Sequence, residues 1–169
     1  MSLSPAQLLR RFPRLFPSGQ EEDAETLLRL LNPLRLPAGE VLIERGDLST
    51  SLYLLASGEL ETDLTEAGQR LILGQVKPGS WVGELALISP GTAAARIRTV
   101  KDSALLVLSH DAFSALRLEH PRVASGMLHT LMLTLVERLR SSNARVIRRL
   151  DSTTLQLTRP EADDAQGIL

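Results

Sequence analysis

The chain has 169 residues, 43% of them hydrophobic and 23% charged, with a net charge of −1 and no cysteine. That length suits one compact domain with a sizeable core and short terminal additions. The charge balance gives no overall pull toward nucleic acid or an anionic membrane, and the missing cysteines exclude disulfides, thiolate nucleophiles and Cys-based zinc sites.

The start, Met1-Ser2-Leu3-Ser4-Pro5, lacks the charged-then-apolar layout of a secretory signal. No apolar run approaches the roughly 20 residues of a membrane span, so a soluble cytoplasmic protein is expected. Residues 4–17 are amphipathic but interrupted by Pro13 and Pro17, which predicts a short helix and a turn. Glu21-Glu22-Asp23 then suit a helix N-terminus, Leu27, Leu28, Leu30 and Leu31 give that helix an apolar face, and Asn32-Pro33 should stop it.

From Leu34 the period changes. Leu34 and Leu36, then Val41 and Ile43, flank the turn Pro37-Ala38-Gly39-Glu40. Leu52 to Ala56 reads as a buried strand, broken at Ser57-Gly58-Glu59 before Leu60 to Leu64 alternates again. Glu66-Ala67-Gly68-Gln69 is a hairpin tip, Leu71 to Val76 the return strand, and Lys77-Pro78-Gly79 a further turn toward Trp81. Ile97–Val100 and Leu105–Leu108 are two more predicted strands. Short strands punctuated by Gly and Pro predict a β-barrel or jelly roll over about residues 34–109.

After Ser109 the pattern is helical: Asp111–Leu118 suits a short helix, His120-Pro121 a break, and residues 122–150 one long helix. Along it Leu128, Met132, Leu135, Leu139, Ser142, Val146 and Leu150 mostly recur at three-and-four spacing. The stripe suits either an intermolecular coiled-coil seam or packing on the chain's own barrel. It makes a homodimer or a partner protein, held through residues 122–150, the expected assembly. Residues 151–169 have no sustained periodicity and read as a flexible tail behind a domain spanning 1–150.

The order of Leu36-Pro37-Ala38-Gly39-Glu40-Val41-Leu42, Gly46-Asp47, Leu52 to Glu59, and Pro78-Gly79-Ser80-Trp81-Val82-Gly83-Glu84-Leu85-Ala86-Leu87 resembles the cyclic nucleotide-binding domain family. The resemblance covers about residues 8–150. It implies a mainly β fold, a jelly roll with N-terminal helices and a long C-terminal helix, and a sensory role; with no local nucleophile–base, paired-carboxylate or P-loop pattern in the chain, neither catalysis nor a cofactor is expected. It also implies a phosphate-binding cassette at Gly83, Glu84, Leu85, Ala86, Thr92, Ala93 and Ala94. By that resemblance Glu84 accepts from a ribose 2′-hydroxyl, and the amides around Leu85 and Ala86 face the cyclic phosphate, as helix-start N–H groups favour anions.

The cassette's arginine is missing. In a gapless register Thr92 falls on the family's proline, Ala93 on its arginine and Ile97 on its core valine. Letting Arg96 take that role requires three extra residues before it and three fewer before Leu105. The simpler register makes Ala93 the family's arginine position, with Arg96 and Arg98 as candidates to compensate. Residues 93 and 96 differ in parity, so on a strand they point to opposite faces. Losing a charge-assisted partner of a buried phosphate costs about 2–5 kcal/mol, or roughly 30- to several-thousand-fold in affinity. cAMP and cGMP are therefore expected to bind weakly or not at all. A ligand-free interaction module and a sensor of another small ligand are the alternative functions.

Other residues suit ordinary roles. Trp81 suits core packing and Tyr53 a core or barrel-rim position. His110, His120 and His129 lie on different elements, too far apart in sequence to suggest a metal cluster. Arg138, Arg140, Arg145, Arg148 and Arg149 complement the end of the long helix. Transcription factors of this fold carry a helix-turn-helix domain after that helix; 19 residues follow Leu150, so no such DNA-binding domain is expected.

Overall fold

The computed structural model describes residues 3–66 and 68–157, and from 145 onward only the helical backbone. Helix α1 (Pro5–Arg11) begins on a capping box: the Ser4 hydroxyl accepts from the Gln7 amide at 3.2 Å, and Gln7 Oε1 accepts from the Ser4 amide at 2.8 Å. A 3₁₀ turn over Pro13–Leu15 follows. Helix α2 (Glu21–Leu28) carries its acids in the first turn, where they complement the helix dipole. It ends before Leu30 and Leu31, and Asn32-Pro33 opens strand β1 (Asn32–Leu36) instead of merely stopping the helix. Pro33 is tolerated because β1 is an edge strand, where a missing N–H leaves no ladder bond unmade.

The remaining strands are β2 (Val41–Ile43), β3 (Leu48–Ser49), β4 (Ser51–Glu66), β5 (Gln69–Val76), β6 (Trp81–Val82), β7 (Gly91–Thr92) and β8 (Arg96–Ser109). The main sheet runs β1-β8-β4-β5, with β2 on β8 and β6 on β4, while β3 and β7 form a separate pair. All these pairings are antiparallel. Two breaks read from the sequence are absent. Ser57-Gly58-Glu59 interrupts nothing, because β4 runs continuously for 16 residues. Ile97–Val100 and Leu105–Leu108 likewise belong to the single 14-residue strand β8.

What the glycine does is bulge the strand. The β4–β8 register shifts at Leu55/Ser57, Ser57/Glu59 and Glu59/Leu60. Gly58 sits at φ +94°, and a Cβ there would lie 2.3 Å from Ser103 Oγ and 2.5 Å from the Asp102 carbonyl oxygen. The consequence is a change of parity. Before the bulge, Leu52, Leu54 and Ala56 join the core beneath the helices, while Leu55 belongs to the barrel interior. After it Leu60, an odd number of residues from Leu55, also faces the interior. Glu59, Glu61 and Asp63 are thereby turned to the other side, each less than 10% exposed. A one-residue slip exchanges the two faces of a strand, and this bulge supplies it.

Helix α3 (Glu84–Ile88), helix α4 (His110–Glu119) and helix α5 (Pro121–Leu157) complete the chain. Two apolar clusters organise the first part. Leu8, Phe12, Leu15, Phe16, Trp81, Leu87, Phe113, Leu116, Met127 and Leu131 are among those that join the helices to one sheet face. Ile43, Leu55, Leu60, Val76, Val82, Ile97 and Leu105 fill the barrel. Trp81 is 2% exposed within the helix-side cluster. Contacts divide the chain into two units after Leu131.

Helix α5 extends seven residues past the expected end at 150, so 151–157 are helical. The rest of the expected tail, 158–169, and the side chains of Arg145, Arg148 and Arg149 lie outside the described residues. No helix among the described residues is long and apolar enough to cross a membrane.

Candidate functional site

The cassette is built from a sharp turn into a one-turn helix. Gly83 caps α3 at φ +85°, and a Cβ there would sit 2.2 Å from the Ser51 carbonyl oxygen at the start of β4. Only glycine accepts that conformation at that distance. The turn leads directly into Glu84, which is 5% exposed, with Ala86 and Leu87 also buried and Leu85 65% exposed. Leu87 and Ser89 donate back to Gly83 and Leu85 at 3.3 and 2.8 Å, closing the helix. The amides of Glu84, Leu85 and Ala86 precede any intrahelical acceptor, as in every helix start.

The far end of the cassette is anchored by backbone bonds. Ala93 N donates to Asp47 O, and Gly46 N donates to Ala93 O, both at 2.9 Å. Next to them Leu48 and Ser49 of β3 pair with Thr92 and Gly91 of β7. Thr92 and Ala94 are exposed. The Ala93 methyl packs against the barrel-interior cluster that contains Val82, Leu55 and Ile97. Position 93 therefore faces the barrel interior and carries no charge there.

Arg96 and Arg98 point the other way. Ile97 pairs with Thr62 toward the barrel, whereas Arg96 pairs with Asp63 and Arg98 with Glu61. Arg96 donates to Asp63 Oδ1 from Nε at 3.1 Å and Nη2 at 2.8 Å. Arg98 Nη2 donates to Glu61 Oε1 at 3.2 Å, and its Nε lies 3.8 Å from Asp63 Oδ2. From β5, Arg70 donates to both Glu61 and Asp63, the latter at 2.8 Å. Glu59 receives Lys77, and Lys101 at 2.9 Å. The lattice binds three strands and sets three carboxylates against five cationic side chains.

The electrostatics follow the geometry. Burial alone would raise the Asp63 pKa, but the hydrogen bonds from Arg70 and Arg96, with their charges, outweigh it and hold the carboxyl below its ordinary value. Hydrogen bonds from Lys77 and then Lys101 do the same for Glu59. The Asp63 carboxylate in turn raises Arg70. These guanidinium groups are held on the face of the sheet opposite the barrel interior.

One contact has no signal in the sequence. His110, the first residue of α4, lies with Nδ1 2.9 Å from the Leu87 carbonyl oxygen at the end of α3. A carbonyl can only accept, so Nδ1 carries the proton. The His110 amide also donates to Thr50 O at 2.8 Å, and Ser109 Oγ caps α4 by accepting from Ala112 N at 3.1 Å. The cassette helix, the start of β4 and the first C-terminal helix thus meet at one imidazole. Tyr53, half-buried against the barrel cluster, would lie 3.4 Å from a Cβ on Gly83.

The family model of the cyclic nucleotide-binding domain matches residues 33–120, just over half of the chain. The cyclic AMP receptor protein of Thermus thermophilus is 32% identical over 130 residues, covering 76% of this chain and 58% of that protein. Lysophospholipase nte1 of Neosartorya fischeri is 31% identical over 130 residues, covering 71% of this chain but 8% of that protein. The regulatory domain of Toxoplasma gondii PKA, solved with cAMP, superposes with a TM-score of 0.59 at 33% identity, covering 66% of this chain and 43% of that one. In each case the chain spans less than two thirds of the relative's length.

Proposed function

The chain belongs to the cyclic nucleotide-binding domain family, and from that membership we propose a non-enzymatic regulatory module that grips cAMP and cGMP weakly or not at all. The carrying observation is the methyl group of Ala93, packed toward the barrel interior where the family's arginine would reach the phosphate. Arg96 and Arg98, the nearest substitutes in sequence, already pair with Asp63 and Glu61. A phosphate at the start of α3 would then depend on backbone amides, which provide partial charge only.

Residues 83–95 are the input of this module and residues 110–150 its output. His110 is the physical link, since any shift of α3 moves the acceptor of its ring N–H. Homodimerisation through α5 supplies the interface that such a shift modulates. Isothermal titration of the purified chain with cAMP and cGMP tests the reading; sub-micromolar binding overturns it.

A ligand-free interaction module on the same fold is the second reading, favoured by the apolar surface around the cassette. Leu85, Ile88 and Leu48 are 65%, 46% and 71% exposed. Scattered single apolar residues are ordinary on a protein surface, but two on α3 and one on β3 border the same segment. Limited proteolysis of the cassette, with and without millimolar cAMP, separates the two readings. Protection favours a weak ligand site; unchanged cleavage favours the interaction module.

A further inference from the structure

The two ends of the main sheet are treated differently. At one end β1 carries Pro33, which has no N–H to offer a further strand. At the other, β5 pairs with β4 alone among the described strands, and it holds no proline. It runs Gln69-Arg70-Leu71-Ile72 before the register shifts against Thr62 and Asp63, leaving Leu73 as the extra residue. Ile72 is 55% and Leu71 39% exposed. An edge strand aims alternate N–H and C=O groups away from its sheet, which makes it a template for one strand more.

Pairing with β4 fixes which way the side chains of β5 point. Ile72 lies opposite Asp63 and Gln75 opposite Glu61, on the face of the ion lattice. Arg70 shares that face, since its guanidinium reaches both acids. Leu71 lies opposite Leu64 on the other face. The lattice is unbalanced, with five cations to three carboxylates, and Lys77 and Lys101 are exposed. Glu66, at the end of β4, does not offset the surplus, because Arg45 holds it at 3.0 Å. This surplus decides what the edge can accept. A second copy of β5 would bring two cationic faces side by side, whereas an acidic strand is attracted to one.

We infer that the open edge of β5 accepts an extended acidic segment of a partner polypeptide as an added strand. Its alternate carboxylates lie on the lattice face, and the apolar side chains between them meet Leu71. Backbone hydrogen bonds supply the hold, and the cationic surplus selects the partner. None of these residues belongs to the cassette, so the inference stands whether or not a cyclic nucleotide binds.

Two labelled, capped peptides serve as probes for the full chain, one alternating valine with glutamate and one alternating valine with lysine. Fluorescence anisotropy should show saturable binding of the glutamate peptide, weakened several-fold by added NaCl, and several-fold weaker binding of the lysine peptide. Hydrogen exchange should slow at the outward-facing amides of residues 69–72 when the glutamate peptide is bound. Ile72→Glu should weaken that binding several-fold more than Ile72→Gln, since both remove the apolar side chain and only one adds a repelling charge. Equal affinity for the two peptides overturns the acidic partner. Protection elsewhere, or none in β5, overturns the added strand. Self-association of the chain alone that slows the same amides gives this edge to a second copy and overturns the inference as well.

Discussion

Arg96 holds a single oxygen of Asp63 with two of its nitrogens, Nε at 3.1 Å and Nη2 at 2.8 Å. Asp63 is fully buried, and Arg70 approaches its second oxygen at 2.8 Å. Detaching Arg96 to serve the cassette would leave part of a buried carboxylate uncompensated and require the side chain to cross the strand. That double cost makes position 93, and not position 96, the place to test the proposed loss of phosphate affinity.

Ala93→Arg should therefore create or strengthen cyclic nucleotide binding. A charge-assisted grip on phosphate contributes about 2–5 kcal/mol, so the dissociation constant should fall roughly 30- to several-thousand-fold. Isothermal titration with cAMP measures the change. No gain, in a variant whose circular dichroism matches the parent, would mean that the barrel interior has no room for the ligand.

Acid should weaken the fold through the β4 carboxylates. Asp63 and Glu59 are held below their ordinary values in the folded chain, so their contribution is fully present above the unfolded carboxylate range, about pH 4. It is lost as pH falls through the folded values. Melting temperature should stay level from neutrality to about pH 5 and decline below it. Asp63→Asn should lower the melting temperature at pH 7 and flatten the acid decline; equal acid slopes in both chains would argue against the lattice.

Gly58→Ala and Gly39→Ala compare two glycines at nearly the same positive φ, +94° and +89°. Nothing lies within 4 Å of a Cβ at Gly39, so that change should cost only the left-handed strain, about 1–2 kcal/mol. At Gly58 the clash with Ser103 and Asp102 adds about 1–3 kcal/mol of overpacking. Urea unfolding of the two variants should separate accordingly.

His110→Phe keeps the ring but deletes the donor to Leu87 O. Stability should fall by about 1 kcal/mol, the net value of one hydrogen bond. Amide exchange should quicken at Leu87 and Ser89, whose bonds close α3, with little effect in β8. Uniform acceleration across the chain would indicate global destabilisation and no specific link.

The turns and the succession of strands and helices were legible because they depend on local chemistry. Gly83-Glu84 must turn sharply, and Pro37-Ala38-Gly39-Glu40 must reverse. Gly58 misled because a glycine inside an apolar run signals an interruption and a bulge equally well. Only the partner strand, through Ser103 and Asp102, decides between them. In the sequence Asp63 is one polar residue of an alternating strand and not the centre of an ion lattice, because its partners lie on β5 and β8. The His110–Leu87 bond spans 23 residues and had no pattern to announce it.

The bulge at Gly58 also limits how this chain can change. Leucines meant for the helices and carboxylates meant for the basic lattice occupy one strand in two opposite reading frames, joined at a single seam. Deleting one residue there would drive Glu61 and Asp63 into the oily lumen and expel Leu60, and no single replacement could undo it. A substitution in the cassette, such as one at position 93, costs the fold far less than a change in the length of this strand.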